Sequence, residues 1–320
     1  MDKEISKPGE AKSEVLQEVP RACVDEDLAV EFIEKQRWGT TPACPHCGSV
    51  AVATMKDNEG NRNRRYLWRC YDCKKQFTVR VGTVMEDSRI PLRIWCWAFW
   101  SACASKKGVS ALQISRECSI TYASALFLMH RIRHAMGSPE SAEKLQGTVE
   151  ADETYVGGKP RNRDNNKRGR GTKKTPVLAM VERPGNVRAR VIPDVTTKTL
   201  REEMFSAIEK SARVCTDELK QYRTIGRVFT GGHGRVNHSC LQYARGFDHV
   251  NTAETFFAIL KRALYRTWHA VSKKHLPKYV NECEFRWNTR HVNDGERLTA
   301  VIKAADGKRL TYYRPVGKSA

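Results

Sequence analysis

The chain has 320 residues, of which 40% are hydrophobic and 29% are charged. This composition excludes a mostly disordered or collagen-like protein, and the length predicts roughly two or three folded units. Lys and Arg outnumber Asp and Glu by 56 to 36, which gives a formal net charge of +20. Such an excess attracts polyanions, of which nucleic acid is the commonest and an anionic membrane surface is the other candidate.

Two features argue against a membrane or exported protein. No run of about eighteen apolar residues occurs, and the mean hydropathy is −0.59. Residues 1–7 are polar and mixed in charge, and no apolar signal segment follows them. We therefore expect a cytosolic protein, in which the 11 cysteines are thiols or metal ligands rather than disulfides.

The N-terminal part is predicted to be helical around a small β module. Residues 1–22 lack a periodic apolar face and are expected to form a disordered leader. A helix plus the β module is expected over 23–85, and a helical segment over 90–137. Apolar spacing predicts helices over 25–36, 94–102, 109–118 and 122–136, and short strands between 44 and 80.

From residue 147 onwards strands and helices alternate, which predicts an α/β domain over 147–295, followed by a tail over 296–320. The predicted strands cover 149–156, 175–181, 187–192 and 214–217. The predicted helices cover 196–212, 251–265 and 275–287.

Two Cys-x-x-Cys pairs are separated by 22 residues, and they comprise Cys44, Cys47, Cys70 and Cys73. The two-residue spacing lets both thiolates of a pair reach one metal, and four sulfurs complete the tetrahedral shell of a structural Zn²⁺. The sequence therefore predicts a zinc ribbon. The other seven cysteines lack this spacing, and we expect most of them to be small core residues.

Residues 109–136 are consistent with a helix-turn-helix whose second helix enters a DNA major groove. Tyr122, Ser124 and the basic end at 130–134 would then contact DNA. Short amphipathic helices also occur as plain bundle structure, so both interpretations remain open.

A glycine-punctuated loop over residues 157–174, here called the basic arm, holds eight cations and one acid. It is predicted to be either a phosphate-contacting arm or a solvated hairpin tip. Its cations are Lys159, Arg161, Arg163, Lys167, Arg168, Arg170, Lys173 and Lys174.

Acidic residues in apolar segments form a third candidate site. Alternation along the strand at 149–156 places Glu150 and Asp152 on one face. Asp217 ends another strand, and Glu254 opens a helix that carries Lys261 two turns further on. Convergent carboxylates bind divalent cations, and a metal pair promotes in-line phosphoryl displacement. Unrelated surface acids are the alternative.

These residues belong to motifs that follow one another in a fixed order. The motifs are CPHCG at 44–48, RCYDC at 69–73, VEADETYVGG at 149–158, NTAETFF at 251–257 with LKR at 260–262, and FRWN at 285–288. In this combination the chain resembles a bacterial insertion-sequence transposase of the zinc-ribbon, ISXO-type group of the DDE superfamily. The resemblance covers about residues 25–295.

The resemblance implies an RNase H-like mixed sheet with flanking helices, a structural Zn²⁺, catalytic Mg²⁺, and strand cleavage and transfer at terminal inverted repeats. Asp152, Asp217 and Glu254 match the catalytic, metal-binding acids, and Lys261 matches the basic residue that follows them. Asn251 competes for the third position, because members of this group carry Glu or Asn there. Double-stranded DNA, a homo-oligomer on DNA and a nucleoid-associated location are further implications.

Two departures from the family pattern are visible. Cys283 replaces a usual aromatic residue and is expected to loosen packing, and the glycine-rich stretch at 231–234 is expected to disturb the segment between Asp217 and Glu254. Two other functions remain open. One is a DNA-binding regulator with an inactive RNase H-like domain, against which the intact acids argue, and the other is a structure-selective nuclease without strand transfer.

Overall fold

The computed structural model of the protein describes residues 14–139, 143–157, 174–237 and 244–311. These residues form two compact units, one running up to Met136 and resuming at Val292, and the other spanning Gly137–His291. No helix within the described residues is long and apolar enough to cross a membrane.

The helices are α1 (Glu14–Ala22), α2 (Glu26–Trp38), α3 (Leu92–Ala104), α4 (Ala111–Glu117), α5 (Tyr122–Ala135), α6 (Thr197–Ala207), α7 (Tyr222–Gly226), α8 (Asn251–Ala263), α9 (Leu276–Asn288) and α10 (Asp294–Lys303). The strands are β1 (Val52–Thr54), β2 (Trp68–Cys70), β3 (Gln76–Phe77), β4 (Thr148–Val156), β5 (Thr175–Arg183), β6 (Val187–Val191), β7 (Arg213–Thr216), β8 (His233–Arg235), β9 (Ala244–Arg245) and β10 (Asp248–His249). A π-helical turn, Leu264–Trp268, continues α8.

The predicted disordered leader is wrong for its last nine residues, which form α1. Val19 and Ala22 are buried, because α1 packs against α2 and the C-terminal helix α10. The Lys35 ammonium of α2 lies 2.6 Å from the carboxylates of both Glu14 and Glu18. A helix this short is marginal alone, so tertiary contacts stabilise it. The rest of the predicted leader lies outside the described residues.

The predicted C-terminal tail is wrong at its start, where α10 packs on α2 and α3 within the first unit. Asn293 and Glu296 form a reciprocal capping box at its N-terminus. Leu298 and Val301 are buried on its inner face. The chain therefore returns to the first unit near Val292, before the predicted boundary.

The four helices predicted from apolar spacing in the N-terminal part are confirmed as α2 to α5. Asp25 caps α2 by accepting a hydrogen bond from the Leu28 N–H at 2.9 Å, and Thr121 caps α5 in the same way. Trp95 of α3 is fully buried. The short strands β1, β2 and β3 pair in antiparallel order next to these helices.

The second unit is built on a five-stranded sheet with the order β6-β5-β4-β7-β8. The pairs β6–β5 and β5–β4 are antiparallel, whereas β4–β7 and β7–β8 are parallel. The sheet is therefore mixed, and helices cover both of its faces. The strands predicted over 149–156, 175–181, 187–192 and 214–217 are confirmed as β4, β5, β6 and β7.

Two hydrophobic cores lie on opposite faces of this sheet. Val177 and Val181 of β5 pack toward α8 and α9, and Leu178 and Met180 pack toward α6 and α7. Because both faces of β5 are covered, its sequence is continuously apolar rather than alternating. Cys283 is buried in the first of these cores, and its predicted loosening effect stays a prediction.

The glycine-rich stretch at 231–234 serves packing rather than disturbing it. A Cβ at Gly231 would lie 2.4 Å from the Ser211 carbonyl oxygen, and one at Gly234 would lie 2.0 Å from an Asp248 carboxylate oxygen. At Gly231 the neighbouring atoms belong to the backbone, so a side chain there would collide with the chain beside β7, and glycine lets β8 add to the sheet at this point. The strand β8, the hairpin β9–β10 and the helix α7 were not predicted from the sequence.

Candidate active site and metal centre

The four cysteines of the two Cys-x-x-Cys pairs converge as predicted. The Sγ atoms of Cys44 and Cys73 are 3.7 Å apart, and those of Cys47 and Cys70 are 3.6 Å apart. All four sulfurs lie within 4.8 Å of one another. A tetrahedron with Zn–S bonds of about 2.3 Å has edges of about 3.8 Å, so the donor set fits one Zn²⁺.

The backbone after each cysteine pair turns through the left-handed region. Gly48 has φ 77° and Lys74 has φ 61°, and each directly follows the second cysteine of its pair. These turns reverse the chain so that both sulfurs of a pair face the same point. The buried Phe77 packs beside the cysteines together with Trp68, which meets the Trp38 ring of α2 edge-on at 5.6 Å.

Asp152 and Asp217 lie on neighbouring parallel strands. Ala151 of β4 is paired with Thr216, the last residue of β7; Asp152 follows Ala151 within β4, and Asp217 directly follows the end of β7. Neighbouring strands are about 4.8 Å apart, so the two acids occupy adjacent positions at the end of this ladder. Both side chains are half-buried.

Glu254 is brought to the same region by α8, in whose first turn it lies. The fully buried Glu150, two residues before Asp152 on β4, accepts hydrogen bonds from the Thr252 and Ala253 N–H groups at 2.7 and 3.0 Å. The Thr252 hydroxyl also donates to Glu150 at 2.8 Å. Glu150 therefore fixes the start of α8 to the strand that carries Asp152.

A second set of contacts surrounds the buried Glu150 carboxylate. The Arg183 guanidinium donates to Glu150 and also to the backbone carbonyls of Phe247 and His249, at 2.7 and 2.6 Å. The His249 Nδ1 lies 3.2 Å from a Glu150 oxygen. Arg183 thus ties the β10 hairpin to the same carboxylate that holds α8, which balances the buried charge.

The acids near Asp152 interact with one another. Burial, the Glu153 carboxylate and the Asp217 carboxylate raise the pKa of Asp152 to about 8, and the Glu254 carboxylate adds to this shift. The hydroxyl of the fully buried Tyr222 donates to Glu153 at 2.9 Å. The acids around Asp152 nevertheless form a less compact cluster than the four cysteines. Among the described residues, only the four cysteines have ligand atoms that all lie within 4.8 Å of one another.

Comparison with known proteins matches both halves of this arrangement. Residues 144–288 match the ISXO2-like transposase domain, and residues 24–76 match the transposase zinc-ribbon domain. The chain belongs to this transposase family. It is 29% identical over 299 residues to an uncharacterised protein in the transposable element ISH50 of Halobacterium salinarum, covering 89% of this chain and 98% of that protein.

A second relative of the transposase is shorter. It is an uncharacterised transposase-like protein of Haemophilus influenzae, 28% identical over 102 residues, which cover 32% of this chain and 80% of that protein. The resemblance inferred from the motifs is thereby confirmed, including the zinc ribbon. The roles of single residues stay predictions.

Asn251 and Glu254, the two competitors for the third catalytic position of the transposase, are both exposed in the first turn of α8. Lys261 is exposed two turns further along the same helix. The arrangement of α8 alone therefore does not favour one competitor. The Glu254 carboxylate lies near enough to Asp152 to contribute to the raised pKa of Asp152, and the choice between Glu254 and Asn251 stays a prediction.

The basic end of α5 does not form the DNA-contacting surface that was predicted for it. Arg131 is 5% exposed and donates to the carbonyl oxygens of Val84 and Glu86, at 3.0 and 2.7 Å. Arg133 is 1% exposed and donates to the Val109 carbonyl. These cations cap backbone carbonyls inside the first unit, where they satisfy buried acceptors.

The N-terminal end of α5 is exposed instead, and Tyr122 there is 53% exposed. Of the eight cations of the basic arm, Lys174 alone lies within the described residues, and the prediction for the other seven falls outside them. The structural role of Glu150 was missed at the level of sequence. Strand alternation put it on the face of Asp152, but its partners come from positions about 100 residues away.

Proposed function

We propose that this transposase cleaves and joins DNA at the ends of an insertion sequence, with Asp152, Asp217 and Glu254 as ligands of catalytic Mg²⁺. The observation that carries the proposal is the register of β4 and β7, which makes the first two acids neighbours. The hydrogen bonds from the start of α8 to Glu150 support the third acid, because they hold its helix against the same strand.

The chemistry of the donor set fits Mg²⁺, which prefers carboxylate oxygens. Two metal ions about 3.5–4 Å apart need ligands that are spread more widely than the sulfurs around a single zinc, so a carboxylate group less compact than the four cysteines is compatible with a metal pair. After burial, repulsion from the Glu153 and Asp217 carboxylates is the next cause of the raised pKa of Asp152. A bound divalent cation would relieve this repulsion.

When bound, the ions would stabilise charge on the attacking and leaving oxygens of an in-line displacement at phosphorus. Asp152, Asp217 and Glu254 would hold these ions, and no covalent enzyme intermediate would be needed. The exposed Lys261 contacts a DNA phosphate near the scissile bond. Glu150 contributes by positioning α8 rather than by touching DNA or metal.

The order and directions of the five strands support an RNase H-like fold for the catalytic domain, which lies within the unit Gly137–His291. Recognition of the terminal inverted repeats belongs to the zinc ribbon, the α4–α5 pair and the basic arm. In a helix-turn-helix the N-terminal residues of the second helix contact base edges, which agrees with the exposure of Tyr122 and not with the buried basic end. A homo-oligomer assembled on DNA completes the proposal.

The test is Mg²⁺-dependent cleavage of a duplex that contains an element end, using Asp152→Asn, Asp217→Asn, Glu254→Gln and Asn251→Ala. Each carboxylate variant should lose cleavage by orders of magnitude while still binding the duplex, because a ligand of the charge-stabilising ions is lost. Glu202→Gln is the matched control, since Glu202 is exposed on α6, which covers the other face of the sheet, and should cleave normally.

Each alternative has its own outcome in the same assay. If Glu254→Gln cleaves normally and Asn251→Ala does not, Asn251 is the third ligand. If the unmodified protein binds the duplex but does not cleave it, the chain is a DNA-binding regulator. Cleavage without joining to a target duplex identifies a nuclease that does not transfer strands.

A further inference from the structure

An open groove of about 500 Å³ lies at the C-terminal end of α8, within the second unit. Its size falls in the range of small-molecule sites, which is large enough for a nucleobase. It is lined by Val156, Gly157, Leu264, Tyr265, His269, Ala270, Val271 and Ser272.

The elements that carry the acids lead to this groove. The strand β4 contains Asp152 and ends at Val156, which is four residues or roughly 13 Å further along. The helix α8 contains Glu254 and reaches Leu264 after ten residues, or roughly 15 Å. The groove is therefore separated from the acids by about four steps of a DNA strand at 3.4 Å per nucleotide.

The chain around the groove is complementary to a polyanion. Residues 251–280 contain six Lys and Arg but a single acid, Glu254. Burial and the neighbouring Lys274 charge hold the pKa of Lys278 below its usual value, so the cations are close enough to repel one another. Five of the six cations are exposed, namely Lys261, Arg262, Arg266, Lys273 and Lys274.

Tyr265 presents an aromatic ring at the groove. It is 50% exposed, and its hydroxyl donates a long hydrogen bond of 3.5 Å to the Gly157 carbonyl. Tyr265 follows Lys261 by four residues, so it continues the exposed side of α8 beyond that lysine. The buried Leu264 and Trp268 support the turn from beneath.

The backbone of this segment is unusual. Leu264–Trp268 is a π-helical turn, a form that is found often at functional sites. His269, which follows it, has φ 57°, a conformation that non-glycine residues adopt rarely. The chain therefore departs from α-helical geometry at the point where it presents Tyr265 and His269 to the groove.

We infer that this groove binds an unstacked base of the DNA strand being processed, with the Tyr265 ring as its stacking partner and the surrounding cations on the neighbouring phosphates. The apolar lining suits the face of a base, and the exposed cations suit the backbone on either side. The inference rests on the proposed function, because it takes DNA as the substrate of the acids on β4, β7 and α8.

The experiment measures binding of the full-length, zinc-loaded protein in a buffer without Mg²⁺, so that no Mg²⁺-dependent cleavage interferes. The probes are two fluorescein-labelled single strands of about twenty nucleotides, oligothymidylate and an abasic strand of equal length and charge. Both probes engage phosphate-binding cations, and only oligothymidylate offers bases for stacking. The ratio of the two dissociation constants therefore isolates the contribution of the bases.

Tyr265→Ala should weaken oligothymidylate binding roughly 5- to 150-fold and leave abasic binding unchanged. Tyr265→Phe should keep the wild-type ratio. Tyr265→Leu should behave like Ala, because it keeps apolar volume without a ring. Arg266→Ala should weaken both probes equally. The matched control is Phe205→Ala, since Phe205 is a partly exposed aromatic residue on α6, which covers the other face of the sheet, and the substitution should leave the ratio unchanged.

The inference is overturned if Tyr265→Ala and Tyr265→Leu leave the ratio unchanged, or if Phe205→Ala changes it as much. It is also overturned if the Tyr265 variants alter the sedimentation of the DNA-free protein and not the ratio, because the groove then belongs to a second copy of the chain. The binding measurement contains no Mg²⁺ and does not depend on cleavage, so its outcome can be interpreted even if the transposase fails to cleave DNA in the assay of the proposed function.

Discussion

Replacing Glu150 by Gln tests whether one buried carboxylate sets the geometry between β4 and α8. Glu150 is fully buried and accepts hydrogen bonds from two backbone N–H groups of α8, from the Thr252 hydroxyl and from Arg183. Gln retains the shape and one acceptor oxygen, but it loses the charge. The Arg183 guanidinium, whose side chain is 18% exposed, would then lack its buried counter-charge.

The structure gives the expected magnitude. Removing one partner of a buried ion pair costs about 3–5 kcal/mol, since the other charge stays desolvated. Because Gln still accepts one hydrogen bond, we expect Glu150→Gln to lower the free energy of unfolding by about 3 kcal/mol, the lower end of this range. In a double variant with Arg183→Met the cost should be smaller than the sum of the two single costs, because no unpaired charge remains.

The assay is amide hydrogen exchange resolved along α8, because it reads the two N–H groups that Glu150 holds. A loss of about 3 kcal/mol corresponds to exchange that is faster by roughly 100-fold at Thr252 and Ala253. Glu202→Gln serves again as the control and should leave these rates within a factor of about two, as expected for an exposed residue. Unchanged protection of Thr252 and Ala253 in Glu150→Gln would refute the reasoning.

Three further predictions concern the metals and the DNA contacts. Cys70→Ser should lose stoichiometric zinc and lower the melting temperature, whereas Cys23→Ser, outside the cluster, should keep zinc; metal analysis decides between them. Because the folded state holds the Asp152 proton up to about pH 8, whereas an unfolded Asp releases it near pH 4, the stability of the zinc-loaded protein without Mg²⁺ should fall as the pH rises across that window. Asp152→Asn should therefore melt above the wild type at pH 8.5 and close to it at pH 4, and equal melting at pH 8.5 would contradict the shift. Finally, each phosphate contact removed from the basic arm should flatten the plot of log affinity against log salt by about one unit, and an unchanged slope would assign the arm to solvent. The substitutions for this last test are Arg161→Ala, Arg163→Ala, Arg168→Ala and Arg170→Ala.

Local patterns predicted a large part of the fold and of the candidate site. The two Cys-x-x-Cys pairs predicted the zinc cluster because metal geometry restricts which spacings bring sulfurs together. Alternation along β4 put Glu150 and Asp152 on one face, and β5 read as a strand because it is apolar without interruption. Each of these signals is contained in fewer than about ten consecutive residues.

The same patterns failed where a segment depends on distant partners. The helix α1 was predicted to be disordered, since its stability comes from packing on α2 and α10. The basic end of α5 was assigned to DNA, but Arg131 binds carbonyl oxygens 45 and 47 residues earlier in the chain. A charge pattern looks the same whether its side chains face solvent or cap a buried backbone.

The sequence by itself determined the zinc ligands, the strands that carry the acids and membership of the transposase family, because each is encoded in spacing and order. Only the tertiary structure decided that Glu150 holds α8, since its partner Thr252 is 102 residues away. It also revealed the groove beside Tyr265, which forms where the end of β4 meets the end of α8. Burial and hydrogen bonding of a side chain depend on which segments meet in space, and that information is spread over the whole chain.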